Sequence, residues 1–196
     1  MPICLVLNAL GGEIMLYDDV DADERLAEQE MRDAKVLDLL MDAEKCRRQR
    51  DYGGEARMLA FALKLKPNDT MIWNKLGRAW RAAGFLDKAV ECYEKVLALD
   101  ANDAWAYANL GGVRLVQENY AAASEFYARA VWLLEAANKL NDGDYPTILA
   151  NYAFALGKCG DKRQAARLLK EAEKRGYKNC AYIRKQLKLS LFDKLF

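Results

Sequence analysis

The sequence contains no histidine among its 196 residues. Histidine is the commonest general base, the side chain that titrates near neutral pH and the usual metal ligand, so its absence removes all three roles together. A serine or cysteine nucleophile would lack its ordinary base. The pairs Gly53-Gly54 and Gly111-Gly112 match no phosphate-binding loop. We therefore expect no catalytic residue, no metal site and no cofactor, and a protein that is not an enzyme.

Long hydrophobic runs are also lacking: no stretch reaches 18 apolar residues, so we expect no membrane span. The five cysteines are scattered without a C-x-x-C pair or zinc spacing, which favours reduced thiols over a disulfide framework. The apolar stretch from Pro2 to Leu10 has no basic residue before it and no convincing cleavage site, which argues against a signal peptide. These absences predict a cytoplasmic protein.

Neither sign of charge is in excess, because 30 Lys and Arg residues face 29 Asp and Glu residues. No overall field therefore favours nucleic acid, and we expect no nucleic-acid partner. The two ends differ: residues 1–34 hold nine acidic and two basic side chains, and residues 158–196 hold twelve basic and four acidic ones. Such ends are usually solvated independently, which we favour, but they also allow a head-to-tail homo-oligomer.

What the sequence does contain is an internal repeat. Residues 70–135 hold the same 34-residue unit twice, without a gap. The pattern Trp-x2-Leu-Gly-x2-Trp at residues 73–80 returns as Tyr-x2-Leu-Gly-x2-Arg at 107–114, and Ala-x3-Tyr at 89–93 returns at 123–127. The first pattern places its residues at i, i+3, i+4 and i+7, on one face of a helix. Each unit therefore predicts two short amphipathic helices joined by a turn.

In spacing and residue order this unit resembles the tetratricopeptide-repeat family, whose 34-residue repeat is a helix–turn–helix. A third copy begins at Leu149, and eight extra residues before it, between Glu135 and Asp144, predict a lengthened second helix that runs on to Leu140 and then a turn. A fourth, degenerate copy precedes the pair, and residues 57–63 fit it only with a one-residue slip. The resemblance implies an all-α, right-handed α-solenoid with about three clear repeats and one degenerate repeat.

The two ends are expected to differ from the repeats. Residues 2–17 have a short β-hairpin pattern, which we interpret as an apolar lid or a disordered start, with a segment that docks on a partner as the alternative. Asp21 is predicted to cap a long helix that runs to about Gln49. Residues 180–196 repeat Ile or Leu every four positions among basic residues; we favour a helix that caps the last repeat over one that binds a membrane surface or a partner groove. The predicted segments are an N-terminal apolar hairpin (1–20), a helix with the degenerate repeat (21–69), three repeats (70–103, 104–143 and 144–178) and a C-terminal capping helix (179–196).

Glycines within the predicted helices need an explanation, because a helical Gly costs about 1 kcal/mol relative to Ala. For Gly77, Gly111 and Gly112 we expect close approach of a neighbouring helix to compensate this cost. Ala89 and Ala123 are the expected small partners on the facing helices.

The resemblance also implies that the first helix of each pair lines a concave surface. In the first unit, the face opposite the apolar stripe carries Met71, Asn74, Lys75, Arg78 and Arg81. Amide side chains there could hold a peptide backbone, and basic ones could meet acidic side chains or a terminal carboxylate; alternatively, each Asn caps or bridges within the stack. The predicted peptide-binding residues are Asn74, Lys75, Arg78, Trp105, Asn109, Asn151, Phe154 and Lys158.

The predicted function is that of a non-enzymatic adaptor which binds a peptide or protein segment in its concave groove. Two alternatives remain open: a self-assembling structural subunit, and a repeat protein similar to secretion chaperones. The sequence does not identify the partner.

Overall fold

The computed structural model describes residues 17–140 and 143–189, with side chains from residue 22 onward. These ranges form nine α-helices and no strand. The helices are α1 (Tyr17–Arg48), α2 (Tyr52–Leu65), α3 (Thr70–Ala82), α4 (Leu86–Leu99), α5 (Ala104–Val116), α6 (Tyr120–Ala136), α7 (Tyr145–Lys158), α8 (Lys162–Lys174) and α9 (Cys180–Gln186). The predicted hairpin lies outside the described residues, except for Tyr17, which begins α1. No helix in the described ranges is long and apolar enough to cross a membrane.

Equivalent helices keep a constant spacing along the chain. The helices α2, α4 and α6 begin at Tyr52, Leu86 and Tyr120, which are 34 residues apart, and α3 and α5 begin at Thr70 and Ala104 with the same offset. Because α2 stays in this register from its first residue to its last, the one-residue slip predicted for the degenerate repeat is wrong. The degeneracy lies in the residue types and not in the backbone.

The stack curves because one row of helices is packed more closely than the other. Each helix packs against the next, and in addition α3 contacts α5 and α5 contacts α7. No comparable contact joins α4 to α6 within the described chain. A solenoid bends toward the row whose members touch, so α3, α5 and α7 line the concave side. The α-solenoid expected from the sequence is thereby confirmed.

Tyrosine rings, and not small side chains, occupy the space beside two helical glycines. A Cβ added to Gly77 would overlap the ring of Tyr93, and one added to Gly111 would press on the ring of Tyr127. Both tyrosines are buried, and they are the largest fully buried side chains of the described core. The expected alanine partners are therefore wrong: the missing side chain of each glycine admits an aromatic ring from the facing helix, and burial of that ring offsets the helical cost of glycine.

The start of the first helix differs from the prediction. Because α1 already begins at Tyr17, Asp21 lies inside the helix and does not cap it. Acidic residues suit the whole first turn of a helix, so the acidic sequence alone did not fix the starting residue. Residues 22–35 of α1 are exposed throughout, and burial begins at Val36, where α1 packs on α2.

The two other lengthened elements also end earlier than expected. The helix α6 exceeds its equivalent α4 by three residues, 17 against 14, so it is lengthened as predicted, but it ends at Ala136 and not at Leu140. At the C-terminal end, α9 has only seven residues, and Lys188 follows it with φ of 50°. The buried residues Ile183 and Leu187 cover α7 and α8, so this short helix does cap the last pair. The later leucines of the predicted helix lie outside the described residues.

The substitution Gly77→Ala is expected to destabilise the protein by about 1–3 kcal/mol, the usual range for overpacking. Its methyl group would collide with the ring of Tyr93, although helix propensity alone would favour alanine by about 1 kcal/mol. Urea denaturation measures the difference. Gly53→Ala is the matched control, because a Cβ there meets only the Asp51 carboxylate at 3.7 Å and should be neutral or stabilising. Stabilisation by both substitutions would contradict the ring-on-glycine packing.

Candidate functional site: a concave groove and its N-terminal extension

The concave side holds an open cavity of about 520 Å³ between α3, α5 and α7. We call it the main cavity. Its size lies within the range of about 300–1,000 Å³ that is typical of ligand sites. Six of the eight predicted binding residues line it: Asn74, Lys75, Arg78, Trp105, Asn109 and Asn151. Three consecutive first helices thus present these residues to the same space.

The other two predicted residues lie elsewhere. Phe154 packs edge-on against Tyr120, with 6.1 Å between the ring centroids. The amino group of Lys158 lies 5.4 Å from the centroid of each of these rings. The side chain of Tyr120, at the start of α6, thus engages both residues, and neither lines the main cavity.

Nine of the fifteen lining residues are not in the predicted set, among them Arg81, Asp103 and Tyr127. Arg81 lies on the same face of α3 as Arg78, so the helical pattern contained its signal. Asp103 precedes α5 and reads as a capping residue, while Tyr127 reads as a core residue of α6. Only the folded chain shows that both of these also reach the main cavity.

A chain of hydrogen bonds fixes the polar residues between α3 and α5. The Asp103 carboxylate caps α5 by accepting from the backbone amide of Ala106 at 2.7 Å. Its other oxygen accepts from Asn74 Nδ2 at 3.2 Å, and Asn74 Oδ1 accepts from Asn109 Nδ2 at 3.3 Å. Bridging within the stack, the alternative raised for the asparagines, therefore holds for Asn74 and Asn109. It also gives both amides a fixed orientation at the wall of the main cavity.

The floor of the main cavity includes Tyr127 and its partner Asn151. The two side chains are hydrogen-bonded, and burial nevertheless raises the pKa of Tyr127 to about 12, because an apolar environment disfavours the phenolate. Arg81 acts in the opposite direction on this pKa. The hydroxyl therefore stays protonated at neutral pH and serves as a neutral hydrogen-bonding group.

The guanidinium group of Arg81 rests directly on the backbone of α5. A Cβ added to Gly112 would overlap its Nη1 atom, so the missing side chain of this glycine makes room for an arginine and not for a helix. With Lys75 and Arg78, Arg81 brings three positive charges to the main cavity, against the carboxylates of Asp103 and Asp144. The lining is therefore mildly cationic, as the sequence suggested.

A smaller cavity of about 170 Å³ lies between α1, α2 and α3. We call it the N-terminal cavity. Lys75 and Arg78 line both cavities, so the two cavities are adjacent along the groove. Glu44 and Arg47 of α1 also line it, and they form a bidentate ion pair with two contacts of 2.7 Å. This pairing, with Arg48 as a further partner, holds the pKa of Glu44 at about 2.

Glu55 of α2 is the unusual member of the N-terminal cavity. The 34-residue register aligns it with Ala89 of α4 and Ala123 of α6, both fully buried. Glu55 is only 7% exposed, and in the described part of the chain no hydrogen bond or ion pair reaches its carboxylate. Burial raises its pKa, although Arg47, Arg78 and Lys75 act against this rise. A carboxylate thus replaces an alanine of the repeat without a direct partner.

No cluster of three or more potential metal ligands occurs within the described residues. The polar groups of the two cavities are ammonium, guanidinium, amide, carboxylate and phenol groups and the hydroxyl groups of two threonines. Their arrangement can hold an anion or a peptide backbone.

The chain has relatives among known proteins. A family model described as "TPR repeat" matches residues 77–115, where TPR denotes the tetratricopeptide repeat. The mouse (Mus musculus) protein named Protein O-mannosyl-transferase TMTC1 is 34% identical over 99 residues, which is 48% of this chain and 10% of that protein. The chain thus spans about a tenth of the length of this relative.

Solved structures show the same fold. The crystal structure of MamA has a TM-score of 0.58 at 20% identity and covers 82% of this chain and 90% of its own. The TPR2B-domain:pHsp70 complex of yeast Sti1 has a TM-score of 0.57 at 17% identity and covers 62% of this chain and 96% of its own. At these identities the similarity shows the architecture of the solenoid alone.

The substitution Glu55→Gln is expected to stabilise the protein increasingly as pH rises above 4.5. The folded-state pKa of Glu55 is raised above its ordinary value of 4.5, so ionisation destabilises the folded state. The wild type therefore loses stability as pH rises from the unfolded-state pKa through the folded-state pKa. The gain should reach on the order of 1–2 kcal/mol at neutral pH and be small at pH 4. Urea denaturation across pH measures it. Glu91→Gln, on the exposed surface of α4, is the control, and an equal gain at every pH would contradict the ionisation argument.

Three observations agree on the family. The helix pairs recur every 34 residues, tyrosine rings pack on the glycines of the repeat, and the first helices form a concave row. The matching family model spans residues 77–115, from within α3 to the last turn of α5. The chain contains tetratricopeptide repeats.

Proposed function

We propose that the main cavity binds an extended peptide segment with acidic side chains, and that the chain acts as a non-enzymatic adaptor. The observation that carries the proposal is the convergence of Lys75, Arg78 and Arg81 on a cavity whose amides are already oriented. Positively charged groups brought together in this way can hold carboxylates. Trp105, at the wall of the cavity, supplies an apolar surface for the peptide.

The asparagine residues suit a peptide backbone. Asn109 uses one of its two N–H groups for Asn74, so its carbonyl oxygen and the other N–H group are left for a ligand. Asn151, on the next first helix, is anchored by Tyr127 in a similar manner. Two amides on neighbouring helices can therefore contact successive peptide units of an extended segment.

The comparisons support a binding role and leave the activity of this chain to be proposed. The yeast Sti1 structure is a TPR2B-domain:pHsp70 complex, so a solenoid of this fold binds a protein partner there. The mouse relative is named as a transferase, but the match spans 10% of its length. We propose that this chain contributes recognition and not catalysis, with a protein or peptide partner, no cofactor and a cytoplasmic location.

Binding of a fluorescein-labelled decapeptide of alternating Glu and Gly tests the proposal by fluorescence anisotropy. We expect a Kd on the order of micromolar and at least about tenfold weaker binding when Arg78→Ser, Asn109→Ala and Asn151→Ala are combined, since each change removes a charged or amide contact. Affinity should also fall as salt is raised.

The matched controls are a Gln–Gly peptide, which removes the negative charge from the ligand, and Lys95→Ser, which removes one positive charge from the exposed surface of α4. Circular dichroism checks that the triple variant is folded. Equal affinity for the two peptides, or an unchanged Kd in the folded triple variant, would rule out this ligand class.

Self-assembly remains a second candidate, because α1 carries exposed apolar side chains. Leu26, Met31, Leu37 and Met41 are each more than half exposed, and Met31 reaches 73%. They lie on α1, whose residues 22–35 are all exposed. The acidic residues 1–34 and the basic residues 158–196 supply charge complementarity between two copies.

If copies assemble in this way, sedimentation equilibrium should show a mass above that of the monomer at low salt and a decrease at high salt, since screening weakens the attraction. The double variant Met31→Ser/Leu37→Ser should then remain monomeric at low salt. A monomeric wild type at every salt concentration would exclude self-assembly through these ends.

A further inference from the structure

The buried carboxylate of Glu55 opposes folding, and the described residues give it no structural role. It is buried in the N-terminal cavity, and no hydrogen bond or ion pair reaches it from the described residues. At the equivalent place Ala89 and Ala123 complete the same packing with a methyl group. Burial of a carboxylate without a direct ion pair opposes folding, although Arg47, Arg78 and Lys75 act on it through space, so packing does not explain this residue. A side chain that departs from the repeat pattern without a structural reason is a candidate for a function.

The charges around Glu55 are engaged elsewhere. Arg47 is bound by both oxygens of Glu44. Lys75 and Arg78 also line the main cavity. All three cations act on the Glu55 carboxylate only through space, and no described side chain forms an ion pair with it.

We propose that the N-terminal cavity is a subsite for an ammonium group, which pairs with the Glu55 carboxylate. Its volume of about 170 Å³ suits a butylammonium-sized group better than a large ring system. Leu40 of α1 and Leu59 of α2 line the same cavity and offer an apolar surface to the methylene stem of such a group. A lysine side chain and the amino terminus of a peptide share this chemistry.

Because Lys75 and Arg78 line both cavities, one peptide can reach the two sites. An acidic residue in the main cavity would be followed, toward α1, by the ammonium group in the N-terminal cavity. Only this link rests on the function proposed above; the ammonium subsite itself does not depend on it.

Titration with n-butylammonium chloride, followed by NMR, tests the subsite without a peptide. We expect saturable shifts of the Glu55 carboxyl carbon and of the Leu40 and Leu59 methyl groups in the millimolar range. They should be absent with sodium chloride at the same ionic strength and in Glu55→Gln, and present in the control Glu91→Gln. Shifts that do not saturate, or that persist in Glu55→Gln, would overturn the proposal.

Peptides then identify the source of the ammonium group. Four acidic decapeptides are compared. Each carries either a lysine or a norleucine at one end, and each of these has either a free or an acetylated amino terminus. The preferred ammonium should improve affinity by about tenfold, as expected for a charge-assisted hydrogen bond, and this preference should vanish in Glu55→Gln. Butylammonium binding without any binding of acidic peptides would leave the subsite standing and contradict the proposed function. If acidic peptides bind with the same affinity whether or not they carry an amine, and butylammonium causes no shifts, the subsite alone is contradicted.

Discussion

The packing of tyrosine rings on helical glycines sets the geometry of the central repeats. Tyr93 on Gly77 and Tyr127 on Gly111 join the two helices of successive pairs in the same way, 34 residues apart. Each contact buries a large ring where a Cβ would prevent its approach. The repeated arrangement stacks the pairs at a constant pitch, and this brings α3, α5 and α7 into one row. Without that row, residues from three separate helices would not share a cavity.

The same row gives its polar residues a structural role at the place where the proposed binding role lies. Asp103 caps α5 and also ties Asn74 to it, and Asn74 in turn orients Asn109. These bonds hold two repeats together, and they also determine which amide atoms remain for a ligand. A residue at the wall of such a groove therefore contributes to stability as well as to the proposed recognition. For this reason substitution of a single asparagine cannot separate the two roles, and the charged residues are more informative.

The first repeat shows what degeneracy means in a solenoid. Its second helix keeps the register of α4 throughout, although Leu59 replaces the tyrosine and Glu55 replaces the alanine. Backbone geometry tolerates these changes because α1 and α3 hold α2 from either side. The smaller Leu59 side chain and the carboxylate leave a polar cavity in the first repeat, where the central repeats have an aromatic core. Departure from the repeat pattern thus creates the smaller N-terminal cavity along the same groove.

The sequence by itself determined the repeat, the class of fold and most of the main cavity. A helix has a fixed period, so residues on the face opposite Trp73 and Leu76 had to share one side of α3, and six of the predicted residues were found together. Only the tertiary structure decided which element fills each gap. Three features depend on contacts between helices. The ring of Tyr93, and not Ala89, lies beside Gly77. Tyr120 packs against Phe154 and Lys158, and Glu55 is buried in register with the repeats. Such contacts are set by the distance and rotation of neighbouring helices, which a local pattern of residues does not encode.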